Sequence, residues 1–403
     1  MENTTIFLKW KIPLPIALAL FIGIAIRMIL SLHGYNYDVI SYRIVSDIMD
    51  LGGNVYAETD RYNYAPFWFY TLHALDMLPS LGLNPLIALR IKVATLLTVV
   101  DVGIFVFLLQ RYEFRIAVLF FLNPISIIIS GHHNQFDNIA IFIALIAIAI
   151  MTEGSDSSID KIGPRWLLGL VGLGLSLCIK HILFLFPFWL ALKEPSWRRK
   201  IGTITIPIGI FLGSFAPYWT AGHEGIVQNV FQYRSFQNGP LWYAVLPHVL
   251  FEILPQTLLF IGSLTLMGFA VRERTRFDSL LIYLLAVIIF SSALANQYLA
   301  IPVTAIAILW NTEFFIFTVV MTVFLLVHDD GLHLLSPLGD GLTFRGYPSQ
   351  FFYSIGIIIL GIGLARILLS EHWQRAISLL RQIILSFWKW IKTEMLNQFR
   401  TPF

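Results

Sequence analysis

The stretch IPLPIALALFIGIAIRMILSLHGYNYDVISYR, Ile12–Arg43, decides how this chain reads. Ile12–Leu32 is apolar over about the 20 residues that carry a helix across a bilayer, with Arg27 as its one charge. The composition then changes at once to His33-Gly-Tyr-Asn-Tyr-Asp38, rich in aromatic and polar groups. Lys9 and Lys11 precede the run, as in the opening of a signal peptide. The apolar part is too long for one and no small-residue cleavage site follows, so the pattern predicts a retained first span.

The rest of the chain has the same character. Of 403 residues, 57% are apolar and 13% charged, against roughly 25% charged in an ordinary soluble domain. The mean hydropathy is +0.75. These values exclude a soluble enzyme, a disordered protein and a nucleic-acid binder. Further apolar runs lie at 86–110, 117–130, 136–151, 165–179, 180–192, 203–219, 253–271, 278–292, 297–310, 312–327 and 351–369. Several are shorter than a full crossing, which allows tilted, merged or broken spans. The expected fold is all-α, a polytopic transmembrane bundle of about twelve spans. Cys178 is the single cysteine, so neither an intramolecular disulfide nor a cysteine metal cluster is available. The net charge of +3 is too small to specify a partner.

Sorting the cations by side predicts an orientation. With the N-terminus cytoplasmic, 18 of the 27 Lys and Arg fall in inner segments and five within spans. Only four, Arg43, Arg61, Arg234 and Arg345, fall outside. That bias follows the positive-inside rule and implies an even number of crossings, with both termini cytoplasmic. The membrane is the plasma or inner membrane, or the endoplasmic reticulum in a eukaryote. The outer segments 33–85, 220–252 and 328–350 are long, and all histidines but His372 lie in them or near outer span ends. Long loops of mixed polar and aromatic character are where sites usually sit, so the working face is expected to be extracytoplasmic. Residues 371–399 mix Trp373, Phe387 and Trp388 with Arg375, Arg381, Lys389 and Lys392. This predicts a helix lying in the inner interface. Nothing rich in Gly or Ser divides the chain, so 1–403 is expected to be one domain.

Several polar groups stand where a bilayer makes them costly. Asp38, among Tyr35, Tyr37 and Tyr42, is a carboxylate part-desolvated by aromatics and able to act as a general base; it also suits the cap of a helix over Val39–Met49. After Gly53-Asn-Val-Tyr56 comes Arg61-Tyr-Asn-Tyr64-Ala-Pro66-Phe-Trp-Phe-Tyr70. Pro66 disfavours helix at Ala65 and can begin one itself, and the aromatics suit an interfacial helix. Ser130-Gly-His132-His133-Asn134-Gln135-Phe136-Asp137-Asn138 is the densest polar run at an outer edge. His132, His133 and Asp137 have metal-ligating side chains, but adjacent histidines diverge on any regular element, so hydrogen bonding to a polar ligand or to the loop backbone fits better. Lys180-His181 interrupts an apolar stretch from Trp166 to Leu192. A lysine there either snorkels or meets an anion such as phosphate. Arg27 and Arg234 have the same option, since a guanidinium takes two phosphate oxygens at once. Gln297-Tyr298 stands at the outer start of a late span. The chain holds no P-loop, zinc-protease helix or nucleophile elbow, and no duplicated half of the kind that marks many transporters.

Taken in order, these segments resemble the GT-C superfamily of integral-membrane glycosyltransferases. The similarity is to the branch using polyprenyl- or dolichyl-phosphate sugars, which includes glucosyltransferases, the GPI mannosyltransferase and bacterial mannosyltransferase-like proteins. The pattern Asp, then Tyr, then Gly-x-x-Tyr is met by Asp38, Tyr42 and Gly53–Tyr56. The Arg-Tyr-x-Pro entry resembles Arg61–Pro66, with one extra residue before the proline. His133-Asn-Gln135-Phe136-Asp137 looks like the family's His-x-Gln run, Lys180-His181 with Pro187 like its Lys-[Gln/His] pair, and Gln297-Tyr298 like its late Gln-Tyr. The likeness covers 12–310, with late spans over 311–370 and the interfacial tail over 371–403. The first loop departs from several members in lacking Asp-x-Asp, so the resemblance carries no requirement for a divalent metal.

The resemblance implies an inverting hexose transfer at the extracytoplasmic face. Asp38 would take the proton of an acceptor hydroxyl on a glycan, lipid or protein. The leaving group is a polyprenyl phosphate, met by Lys180 with Arg234 or Arg27. Tyr42, Arg61, Tyr64, His132, His133, Gln135, Asp137, His181, Gln297 and Tyr298 would bind substrate or orient neighbours. Two other functions fit the same topology, a flippase or exporter of lipid-linked sugars and a polymerase or ligase of surface polysaccharide. Membrane lipids are partners in each case.

Overall fold

The computed structural model describes residues 13–32, 37–152, 163–233, 239–246, 254–328 and 350–370, with 332 and 386 as isolated positions. Arg234, the segment 333–349 and the predicted interfacial tail lie outside the described residues. Within them the chain folds into helices and forms no sheet. Among the described residues, four helices are long and apolar enough to cross a membrane: α1 (Leu14–Ser31), α5 (Pro85–Arg111), a long helix over Trp197–Phe231, and Gln350–Ser370. The protein is a polytopic helical membrane protein. The remaining apolar runs form shorter helices, including α8 (Asp137–Thr152) and α9 (Pro164–Ile179). One further pair, α6 (Phe114–Phe121) and α7 (Pro124–His133), meets the same test only when taken together and is bent by 45° at its break, as a broken span or a re-entrant turn is.

That break has a local cause. Asn123 caps the second segment, accepting from the N–H of Ile125 at 3.0 Å, and Pro124 occupies the first helical position. Asn84 and Pro85 open α5 in the same way. With Ile125 N–H taken by the cap, the Phe121 carbonyl at the end of α6 needs another donor.

Arg27 supplies it, donating Nη1 to Phe121 O at 3.0 Å. Its Nε meets Asp101 Oδ2 of α5 at 2.9 Å and Ser130 Oγ at 3.0 Å, and its Nη2 meets Ser126 Oγ at 3.2 Å. Asp101 Oδ1 accepts from Asn138 Nδ2 in the first turn of α8 at 2.7 Å. Arg27 and Asp101 are both fully buried. A phosphate-binding role for Arg27 is therefore overturned: its guanidinium is committed to a carboxylate, two hydroxyls and carbonyls. The pin joins α1, α5, the broken span and α8. Gly131 permits the close approach, because a Cβ there would stand 2.9 Å from Arg27 O.

The long loop after α1 is helical, as its pattern predicts. α2 (Tyr37–Asp50) packs on α4 (Pro66–Asp76), and α4 packs on α5. Ala65 is extended and Pro66 begins α4, so the proline acts as a helix start. Between them α3 (Val55–Glu58) is capped by Asn54, whose Oδ1 accepts from Tyr56 N–H at 3.1 Å.

The sequence places a loop from 220 onward, but helix continues to Phe231. Packing accounts for the extension. Tyr56 is buried among Phe69, Phe215 and Tyr218, and Gly222 and Gly225 let the long helix lie against α3. A Cβ at Gly225 would stand 1.9 Å from the Tyr56 carbonyl oxygen, a backbone atom that cannot swing aside. Gly225→Ala is thus expected to cost about 1–3 kcal/mol as overpacking. Gly213→Ala on the same helix, where nothing lies within 4 Å, is the control. Thermal melts in detergent compare the two, and equal midpoints would refute the contact's importance.

Candidate functional site

Three segments remote in sequence converge beside the first turn of α2. Asp38 lies within that turn rather than ahead of it, so it is not the helix cap that the sequence suggested. Its carboxylate at a helix N-terminus still benefits from the macrodipole. Gln135 and Asp137 come from the junction between the bent span and α8. Lys180 ends α9 with extended backbone (φ −151°, ψ 124°), before a 3₁₀ turn over His181–Leu183. The lysine thus breaks the apolar stretch where the sequence shows an interruption.

Their side chains form a continuous chain of contacts. Gln135 Nε2 donates to Asp38 Oδ2. Lys180 Nζ donates to Gln135 Oε1 at 3.4 Å and to Asp137 Oδ2 at 2.7 Å. Lys180 is only 5% exposed, which makes the Asp137 partner necessary. Its ammonium also lies 4.8 Å from the ring centre of Phe136 and 5.4 Å from that of Tyr64. Trp68 of α4 stacks on Phe136 at 3.8 Å, and Tyr42 meets Trp68 edge-on. Tyr42 donates its hydroxyl to Asn134 O at 3.3 Å. Aromatic walls thus hold the first loop against the junction that carries Gln135.

Burial pushes the Asp38 pKa up from its ordinary value. Lys180, the Gln135 hydrogen bond and Arg61 pull it down, and Asp137 adds to the rise. Arg61 lies over the Tyr37 ring at 3.9 Å and donates to Tyr37 O at 3.5 Å, so it packs against the start of α2.

A cavity of about 540 Å³ opens beside Lys180. Tyr64, Lys180, His181, Gln297 and Tyr298, all singled out in the sequence, line it. Asn63, Ser291 and Ser292 add polar groups that sequence reasoning passed over. Asn63 was in view within the Arg61–Pro66 motif, and the Ser291-Ser292 pair was visible as polar residues closing the apolar run 278–292. Phe260, Ile261 and Val287 add apolar side chains to the lining. The cavity lining therefore combines polar and apolar side chains.

Two expected site residues point elsewhere. His132 receives Arg90 Nη2 at its carbonyl (3.2 Å) and ring (3.4 Å), while Asp137 turns to Lys180. His133 meets His132 edge-on at 5.3 Å in the same buried turn. His132, His133 and Asp137 accordingly do not converge on a metal position. Neither histidine lines the cavity, and Asp38, Tyr42, Arg61, Gln135 and Asp137 stand outside its lining as well.

No family model matches the sequence, and no curated protein matches it. Among solved structures, ArnT from Cupriavidus metallidurans in the apo state is similar at 16% identity and a TM-score of 0.47. The alignment covers 87% of this chain and 75% of that one.

Proposed function

We propose that this protein is a GT-C-type glycosyltransferase. It takes a sugar, of the hexose class by the sequence resemblance, from a polyprenyl phosphate and passes it to an acceptor hydroxyl. Asp38 is the general base, the displacement inverts the anomeric carbon, and the reaction faces the extracytoplasmic side. The observation that carries this reading is the contact chain Asp38–Gln135–Lys180 ending on a cavity lined by both polar and apolar side chains.

The chemistry follows from the groups present. A sugar phosphate held near Lys180 places its leaving oxygens beside a desolvated ammonium, where charge develops as the glycosidic bond breaks. Asn63, His181, Ser291, Ser292 and Gln297 offer hydrogen bonds to sugar hydroxyls. The apolar side chains of Phe260, Ile261 and Val287 suit the first units of a prenyl chain. Asp38, raised by burial, accepts the acceptor's proton as its oxygen attacks. The ion pair with Asp137 holds the Lys180 side chain in place until the phosphate arrives.

The test is transfer by the purified protein from a polyprenyl-phosphate hexose to glycan and lipid acceptors. Lipid flux without product would favour a flippase, and a ladder of product lengths a polymerase. The cation is tested by removing both charges together, because Lys180→Gln alone strands Asp137 in the interior. Lys180→Gln with Asp137→Asn is expected to fold and to raise KM for the lipid donor by about 10–100-fold, the loss of one charge-assisted contact. An unchanged KM would remove Lys180 from the donor site.

A further inference from the structure

Gln135 stands between the two charges that the proposed chemistry uses, and its setting fixes which way its amide points. The amide nitrogen faces Asp38 Oδ2 and the amide oxygen faces Lys180 Nζ. The reverse orientation would set oxygen against carboxylate and N–H against ammonium. The backbone that carries Gln135 is held as firmly. Asn134, the residue before it, takes a left-handed conformation (φ 56°, ψ 38°), which costs energy in any residue but glycine and is tolerated best by Asn. Its Nδ2 meets Ser130 O and Gly131 O at 3.3 Å each, and its carbonyl accepts from Tyr42. Gln135 N–H closes the turn on Ile129 O at 3.3 Å. Gln135 is 1% exposed and Asn134 fully buried, so neither contact depends on a mobile surface side chain.

We propose that Gln135 is a positioning residue that joins the Asp38 carboxylate to the Lys180 ammonium, fixing the carboxylate's direction and coupling the two charges. The inference rests on the glycosyltransferase reading for its purpose and on the hydrogen bonds for its existence. Through the amide, Asp38 is aimed from the junction before α8 rather than from its own helix. An anion that draws Lys180 towards the cavity also loosens the lysine's contact with Oε1, so occupancy of the cavity is felt at Asp38. The groups facing Asp38 are Lys180, Arg61 and Asp137, with the phenols of Tyr42 and Tyr64 close by. Of these, Lys180 comes from the segment that Gln135 ties to α2, and Asp137 from the segment that carries Gln135 itself.

The experiment reads Asp38 directly and needs no turnover. The carboxylate band of Asp38 is followed against pH by infrared difference spectroscopy on the full-length protein in nanodiscs, and assigned by its disappearance in Asp38→Asn. Gln135→Met keeps the side chain's length and removes both hydrogen bonds. Its Asp38 inflection is expected to move up by about one pH unit, because the ionised form loses a donor. Gln135→Glu, a second variant of nearly the same shape, puts a carboxylate beside Asp38 and is expected to move the inflection the same way. Melting midpoints confirm that the variants fold, and either folded variant suffices for the test. An Asp38 inflection unmoved in a folded variant overturns the proposal and leaves Gln135 as loop packing. Transfer assays add a split: kcat falls in Gln135→Met while KM for the lipid donor changes less than threefold. Absence of transfer in the unsubstituted protein would defeat the glycosyltransferase reading and leave the infrared result standing.

Discussion

Asp38→Asn is expected to lower sugar transfer by about 10²–10⁴-fold, the range that a positioned general base contributes. The substitution keeps the side chain's shape and still lets its amide oxygen accept from Gln135, so the loss falls on proton transfer rather than on folding. KM for the lipid donor should change little, because the proposed mechanism has Lys180, and not Asp38, meet the donor's phosphate. The pH profile supplies a second signature. Burial raises the Asp38 pKa above its ordinary value of 3.8. The base works ionised, so the rate should climb with rising pH through an inflection above that value and level off once Asp38 is deprotonated. The residual activity of Asp38→Asn should lack that limb. Equal transfer by variant and wild type, or an acid limb retained in the variant, would assign the proton transfer to another group.

Much of the architecture was legible along the chain because membranes impose a local code. The run Ile12–Leu32 holds α1, and the Pro66 start of α4 follows from the proline's fixed φ and missing N–H. Lys180 could be read as a break because a lone cation inside an apolar run demands a partner, and the backbone does turn extended there. What stayed hidden was pairing at a distance. Nothing near Arg27 shows that its carboxylate stands 74 positions later, or that Gln135 reaches Asp38 across 97. For the same reason His132 and His133 drew attention as a polar pair, while their role in the fold, set by Arg90 of α5, depends on another helix. The helical extension to Phe231 was missed because Gly222 and Gly225 weaken a helix locally; they earn their place only where α3 lies against them.

The second large effect concerns the pin beneath the site. Arg27→Met should cost about 3–5 kcal/mol, since it leaves the Asp101 carboxyl in the interior without its partner. In detergent this should appear as a large fall in melting midpoint or a failure to accumulate folded protein. The double variant Arg27→Met with Asp101→Leu removes both charges, and a buried pair replaced by apolar groups of similar volume is often tolerated. Recovery should nonetheless be partial. Arg27 also satisfies Phe121 O at the broken span, and that carbonyl keeps a deficit of about 1–3 kcal/mol when its donor goes. Asn138 would lose its acceptor on Asp101 as well, at the residue next to Asp137. The double variant should therefore fold better than the single one while its KM for the lipid donor still rises, through Asp137 and Lys180. A double variant as unstable as Arg27→Met alone would show that the carbonyl and hydroxyl contacts, rather than the ion pair, hold the broken span in place.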